Sequence, residues 1–275
     1  MIKLKKVDYF YPGSEQPALS DVDLNIAPGS FVAIMGRNGS GKSSLARLLN
    51  GLLLPTHGQV EVDGLDTRDR KANAAIKKKI GLVMSVPDNQ MVAGSVEEDV
   101  AFGPENLGLS SLEIASRVEQ ALDLVGMKEF RYADPFSLSG GQKQRVCIAG
   151  MLAMQPQYMI FDEPVTMLGP SEQNSIMQLL RNLHREKQLT VILITHNMQE
   201  AVSAERIVVL NEGRVALDGV TEKIIAEDKA LSQLGIEPLE LVSISRGLEA
   251  WGHRPGVSIN PVDLTEAICR LKSHK

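Results

Sequence analysis

The sequence predicts an α/β fold with a mainly parallel core sheet. Three observations carry that expectation. An apolar run, Phe31-Val32-Ala33-Ile34-Met35, leads into a glycine-rich loop and then into a helix-like stretch. Two more apolar runs, 158–161 and 190–194, end in polar residues and are separated by a helical segment at 171–187. Strands that alternate with helices in this way build a parallel sheet with helices on its faces.

Taken in order, Ile2-Lys3-Leu4-Lys5-Lys6-Val7-Asp8-Tyr9-Phe10-Tyr11 is rich in strand formers, and Pro12-Gly13-Ser14 ends it. Val22-Asp23-Leu24-Asn25-Ile26 alternates, and Pro28-Gly29-Ser30 turns the chain into 31–35. Gln59-Val60-Glu61-Val62-Asp63 alternates again and stops at Gly64. These strands predict an N-terminal antiparallel β unit. The run 68–79 carries six basic residues and reads as a solvated face, with contact to an acidic lipid surface as the alternative. Ile80-Gly81-Leu82-Val83-Met84 reads as a buried strand.

From 95 to 152 the period turns helical. Leu112, Ala115, Val118, Ala121, Leu122 and Val125 predict one core-facing stripe. A helix is expected over 146–154 and a hairpin over 207–217. The tail from Pro238 predicts helical segments split by Gly252-His253-Arg254-Pro255-Gly256.

Composition narrows the classes. The 275 residues are enough for one large domain with a small appendage. A net charge of −5 argues against a nucleic-acid partner. Cys147 and Cys269 share no short motif, so free thiols in a reducing compartment are expected. The start shows no signal-peptide pattern, and no run of 18 apolar residues predicts a membrane span. A membrane role would therefore come through a partner.

The chemistry starts at Gly36-Arg37-Asn38-Gly39-Ser40-Gly41-Lys42-Ser43, with Ser44 opening the helix. The spacing G-x-x-x-x-G-K-S is that of a P-loop, in the strand–loop–helix context the motif needs. Glycines let backbone N–H groups converge on one point, and the helix dipole points at the same place. Lys42 is expected on the β and γ phosphates of ATP, and Ser43 on Mg²⁺. Asp162 and Glu163 end an apolar strand. Adjacent residues there point different ways, so Asp162 is expected at the metal and Glu163 at the attacking water as general base. His196 ends another buried strand, at the sheet edge where ligands bind, and is placed near the γ-phosphate. Ser139, Gly140, Gly141 and Gln142 open a helix and form a second anion site. One nucleotide does not need two phosphate loops, but two chains arranged head to tail do.

These motifs, in this order, resemble the ATP-binding subunit of an ABC transporter over about residues 1–220. The resemblance implies an ABC ATPase fold with an inserted helical subdomain at about 90–152, and a domain spanning 1–237. It makes Tyr11 the aromatic that stacks on adenine, with Tyr9 and Phe10 competing. Pro87-Asp88-Asn89-Gln90 and Val96-Glu97-Glu98-Asp99-Val100-Ala101-Phe102-Gly103 are similar to the coupling segment of the energy-coupling factor branch, which includes cobalt, nickel and vitamin importers. Asp263-Leu264-Thr265-Glu266-Ala267-Ile268 is similar to its C-terminal appendage, placed here at 238–275. That branch implies a second, related ATPase, a transmembrane coupling subunit and a substrate-binding membrane subunit, at the cytoplasmic face of the cell membrane. Two positions depart from the family: Ser85 stands where a glutamine is usual, and Gly169 where an aspartate is usual. They predict unequal paired sites. A soluble ABC ATPase and a weakly hydrolysing regulatory subunit are the alternatives to a transport motor.

Overall fold

The computed structural model describes residues 1–250 and 261–272. The expected tail break at Gly252 to Gly256 lies outside them. Strands β1 (Ile2–Tyr9) and β2 (Leu19–Ile26) come first, then β3 (Phe31–Met35) and helix α1 (Lys42–Leu49). β4 (His57–Val62), β5 (Leu65–Asp66), α2 (Arg70–Lys79) and β6 (Ile80–Val83) follow. Three helices come next: α3 (Val96–Asn106), α4 (Ser111–Val125) and α5 (Gly140–Ala153). The chain returns to the core with β7 (Tyr158–Asp162), α6 (Pro170–Lys187), β8 (Thr190–Thr195), the single turn α7 (Met198–Ala201), β9 (Arg206–Asn211) and β10 (Arg214–Val220). It ends in α8 (Thr221–Ala226), α9 (Asp228–Gln233), α10 (Glu240–Ala250) and α11 (Pro261–Lys272).

Six strands form the core sheet in the order β10-β9-β3-β8-β7-β6. All neighbours run parallel except the β9–β10 hairpin. The second sheet, β2-β1-β4-β5, is antiparallel. Strand alternation explains the layering. Phe31, Ala33 and Met35 face one core with α3 to α6. Val32 and Ile34 face the other, with Leu45 and Leu48 of α1 and the inner face of the antiparallel sheet. Burial on both faces is why the parallel strands read as unbroken apolar runs.

The α4 stripe is shorter than expected. Val118, Ala121, Leu122 and Val125 are buried, but Leu112 is 86% exposed and Ala115 is also exposed. The stripe continues instead through the half-buried Ile114. In the first turn of α4 the 3.6 period holds while Leu112 and Ala115 stay exposed. Periodicity states which residues share a face, not whether that face is covered. In α2, Ala72 and Ile76 alone are buried, which accords with a solvated basic face. Ile236, Leu239 and Val242 pack in the main core.

Candidate functional site

The site lies where β3, β7 and β8 end. The P-loop bends because its glycines permit it. Gly41 has φ +102, and a Cβ there would meet the Ala18 carbonyl oxygen at 2.5 Å. Any other residue would be strained at that position. The turn aims α1's first amides into the loop, and Leu45 N–H donates to the Gly41 carbonyl at 2.9 Å.

Lys42 is only 5% exposed. Its ammonium donates to the Gly36 carbonyl at 2.8 Å and to that of Arg37 at 3.0 Å, which holds it extended along the loop. Burial lowers its pKa, while Glu163 and Asp162 oppose that shift. The Glu163 carboxylate is 4.0 Å from Nζ. Ser40 Oγ is buried without a hydrogen-bond partner among the described residues, so its hydroxyl is available to an anion in the loop.

Ser43 Oγ donates to Asp162 Oδ1 at 3.2 Å. Burial pushes Asp162 above the usual carboxylate range, the Ser43 bond pulls it back, and the Glu163 charge adds to the rise. A hydroxyl beside a carboxylate is the hard-oxygen pair that suits Mg²⁺.

Asp162 and Glu163 do diverge, but not by strand alternation. Glu163 lies just beyond β7 with φ +50, and its N–H donates to the Ile194 carbonyl at 2.9 Å. A non-glycine residue in this left-handed region is strained, and such strain gathers at functional sites. The twist sends Oε1 to His196 Nδ1 at 3.3 Å and lets Oε2 accept from Thr166 Oγ1 at 3.2 Å. His196, half exposed, follows β8. Asn197 caps α7 behind it, and Thr195 donates to the half-buried Glu200 at 2.7 Å. Burial raises the Glu200 pKa. Thr166, Thr195 and Glu200 carried no signal in the sequence, because their partners are set by tertiary packing.

The aromatics differ in burial, with Phe10 half-buried between Tyr9 and Tyr11. Tyr9 is 7% exposed and packs in the antiparallel core, whereas Tyr11 is 38% exposed. Tyr11 OH lies 2.9 Å from Ser44 Oγ, and its ring meets Tyr9 edge-on at 5.0 Å. Tyr11 is therefore tied to the first turn of α1 and stays partly exposed. A cleft of about 650 Å³ opens beside the start of the P-loop, lined by Gly36, Arg37, Asn38, His196 and Gln199, with 235–240 as the far wall. Gly39 sits at the loop's tip, with φ +82 and open space around its Cα.

The second anion group stands apart. Ser139 caps α5, accepting from Gln142 N–H at 3.3 Å, while Gln142 Oε1 accepts from Ser139 N–H at 2.9 Å. Gly140 and Ser139 are exposed, and Gly141 is buried against Glu172. No hydrogen bond among the described residues joins this group to 36–44.

The family described as "ABC transporter" matches residues 19–166. The "Energy-coupling factor transporter ATP-binding protein EcfA" of Syntrophomonas wolfei is 46% identical over 272 residues, covering 98% of this chain and 100% of that protein. The chain belongs to the ABC transporter family, in its energy-coupling factor branch. It is an ATP-binding transport ATPase. The EcfA1 protein of Symbiobacterium thermophilum is 49% identical, covering 93% of this chain and 90% of its own length. Among solved structures, cbiO1 of Clostridium perfringens, described as part of the cbiONQ transporter complex, superposes with a TM-score of 0.77 at 35% identity, covering 90% of this ABC chain and 98% of its own. A dimeric ATP-binding cassette in a post-hydrolysis state with ADP and Pi gives 0.73 at 35% identity, covering 80% and 99%.

Proposed function

We propose that this chain is the ATP-hydrolysing motor of an energy-coupling factor importer, working at the cytoplasmic face of the cell membrane and driving uptake of a micronutrient such as a vitamin or transition-metal ion. One observation carries the reading: Lys42, Ser43, Asp162, Glu163 and His196 come from three chain segments yet meet within hydrogen-bond or ion-pair reach. Core packing alone does not need that convergence of charge, and phosphoryl transfer does.

In this reading, backbone amides of 36–44 and the Lys42 ammonium hold the phosphates, and Tyr11 stacks on the base. Ser43 and Asp162 hold Mg²⁺, which when bound neutralises phosphate charge. Glu163 accepts a proton from the attacking water. His196, bonded to Glu163, keeps that carboxylate aimed and reaches the γ-phosphate. Ser139, Gly140, Gly141 and Gln142 close over the nucleotide of a second, related ATPase. Dimerisation of a similar cassette supports this pairing.

The same reading gives the membrane partner a seat. A groove of about 260 Å³ runs between α3 and α5, with Val92 and Phe102 exposed at its rim and Gly103 and Met154 within it. An apolar helix end of a transmembrane subunit fits there. We also assign 1–237 to the ATP-binding domain, about 90–152 to its helical subdomain, and 238–275 to an accessory segment. Glu163→Gln tests the motor: ATP turnover should fall about 10²- to 10⁴-fold with ATP binding retained, as for loss of a general base. Unchanged turnover would remove Glu163 from the mechanism and leave a regulatory binding subunit.

A further inference from the structure

The mouth of α5 is not free. Ser139 Oγ donates to Glu172 Oε1 at 3.3 Å while accepting from Gln142 N–H. A serine hydroxyl has one proton to donate, and here that proton is committed to a carboxylate. Gly141 tells the same story from the other side. A Cβ at Gly141 would lie 2.6 Å from Glu172 Oε1 and 2.8 Å from its Cδ, so the carboxylate is seated directly against the first turn of α5. Its negative charge sits at the positive end of that helix, where an anion is favoured.

Glu172 has a second attachment. Its Oε2 accepts from Gly169 N–H at 3.4 Å, capping α6 from its third residue, since glycine has no side chain of its own to cap with. One side chain thus ties together the first turns of α5 and α6. The arrangement is stable only while no other anion claims Ser139.

We propose that Glu172 is a gating residue that competes with the incoming phosphate for Ser139 and sets how much ATP is needed to close the shared site. The inference rests on the reading that Ser139 serves a neighbouring chain's nucleotide. For the phosphate to dock, the Ser139 proton must turn from Glu172 to the phosphate oxygen, and the carboxylate must swing out toward Gly169, where its capping role persists. Two anions do not share one donor at hydrogen-bond distance, so the swing is obligatory. It makes closure on this chain's α5 harder than on an α5 whose serine is unengaged.

The test measures turnover against ATP concentration, with Mg²⁺, for the full chain in the complex with which it purifies, alongside thermal melting. Glu172→Gln keeps the length and the cap but removes the charge. It should lower the half-saturating ATP concentration roughly three- to tenfold with an unchanged melting temperature, since charge-assisted bonds are about twice as strong as neutral ones. Glu172→Asp keeps the charge but falls short of Ser139, and should give the same fall. A residue with only a capping role would lower the melting temperature in Glu172→Asp and leave the ATP requirement alone, which would overturn the proposal. Ser139→Ala separates the two readings. If it slows turnover while Glu172→Gln leaves the ATP requirement unchanged, the gate is wrong and the shared site stands. If Ser139→Ala leaves turnover intact, the α5 mouth does not serve nucleotide and both readings fall.

Discussion

In the proposed function the P-loop edge and the mouth of α5 serve the same chemistry, and they are arranged for it by opposite means. At the P-loop edge the core sheet does the arranging. β3, β7 and β8 end side by side, and their last residues are held by ladder bonds and by buried apolar side chains beneath. Lys42 is already extended, Ser43 already meets Asp162, and Glu163 is already twisted toward His196. At α5 the anion-binding groups are present but engaged with the chain's own Glu172. One half is prearranged and waits for ligand; the other must release a contact first. Rigid positioning lowers the cost of binding, and a competing internal contact raises it.

The largest effect should come from the prearranged half. Lys42→Ala removes the one ammonium inside the loop. Turnover should drop about 10²- to 10³-fold, the usual loss when a preorganised electrostatic group is removed. A loss of less than tenfold in a steady-state assay would mean that the P-loop edge is not the rigid partner in this comparison.

A smaller effect of opposite sign sharpens the same point. The Asp162 pKa is raised by burial, so the folded chain holds this proton more tightly than the unfolded chain. Its contribution to stability is therefore full below the ordinary carboxylate value and is lost as pH rises through the raised one. Asp162→Asn cannot ionise. Without nucleotide it should melt about 2 °C higher than the parent at neutral pH, with the gap closing near pH 3. With Mg²⁺ and ATP the order should reverse, because only the carboxylate gains from the metal. Melts at two pH values, with and without Mg²⁺–ATP, read both signs. A parent that melts higher in every condition would show that the site stores no strain.

The two halves also differ in how far the sequence exposes them. Strands buried on both faces print as apolar runs, so Phe31–Met35 is legible to the residue and Tyr158–Asp162 to within one, its expected end running on to Glu163. The P-loop is legible because its glycines answer to local backbone geometry, as Gly41 does. Leu112 misleads because its periodicity is local while its exposure depends on what packs against it. Helices α8 and α9 escape notice because each is only six residues long. Glu172 reads in sequence as an ordinary acidic residue in a helix's first turn. Its partner lies 33 positions away, and no spacing rule links them. Functional pairs formed within a loop can be read from the chain, whereas pairs formed between helices need the fold.

The smallest effect concerns the departures from the family pattern, Ser85 and Gly169. Gly169 is the N-cap of α6, in extended geometry and without a side-chain cap. A Cβ there would meet only Glu172 Oε2, at 4.0 Å, so an aspartate fits. Capping by aspartate in place of glycine is worth only a few tenths of a kcal/mol. Repulsion from Glu172 offsets part of it, since two exposed like charges cost about as much. Stability should therefore move by less than about 0.5 kcal/mol in denaturant melts. Turnover is the sharper readout. An aspartate at 169 would claim α6's free amides and press Glu172 away from both helix ends, while Ser85→Gln would return a longer polar side chain beside Met84, whose N–H is held by Gln90. If the departures are what make the paired sites unequal, the double substitution should raise ATP turnover, and Gly169→Asp should contribute less once Glu172 is already glutamine. Equal gains in both backgrounds would mean that position 169 acts across the dimer and not through Glu172, and would move the asymmetry from this chain's own α5 to its partner's nucleotide.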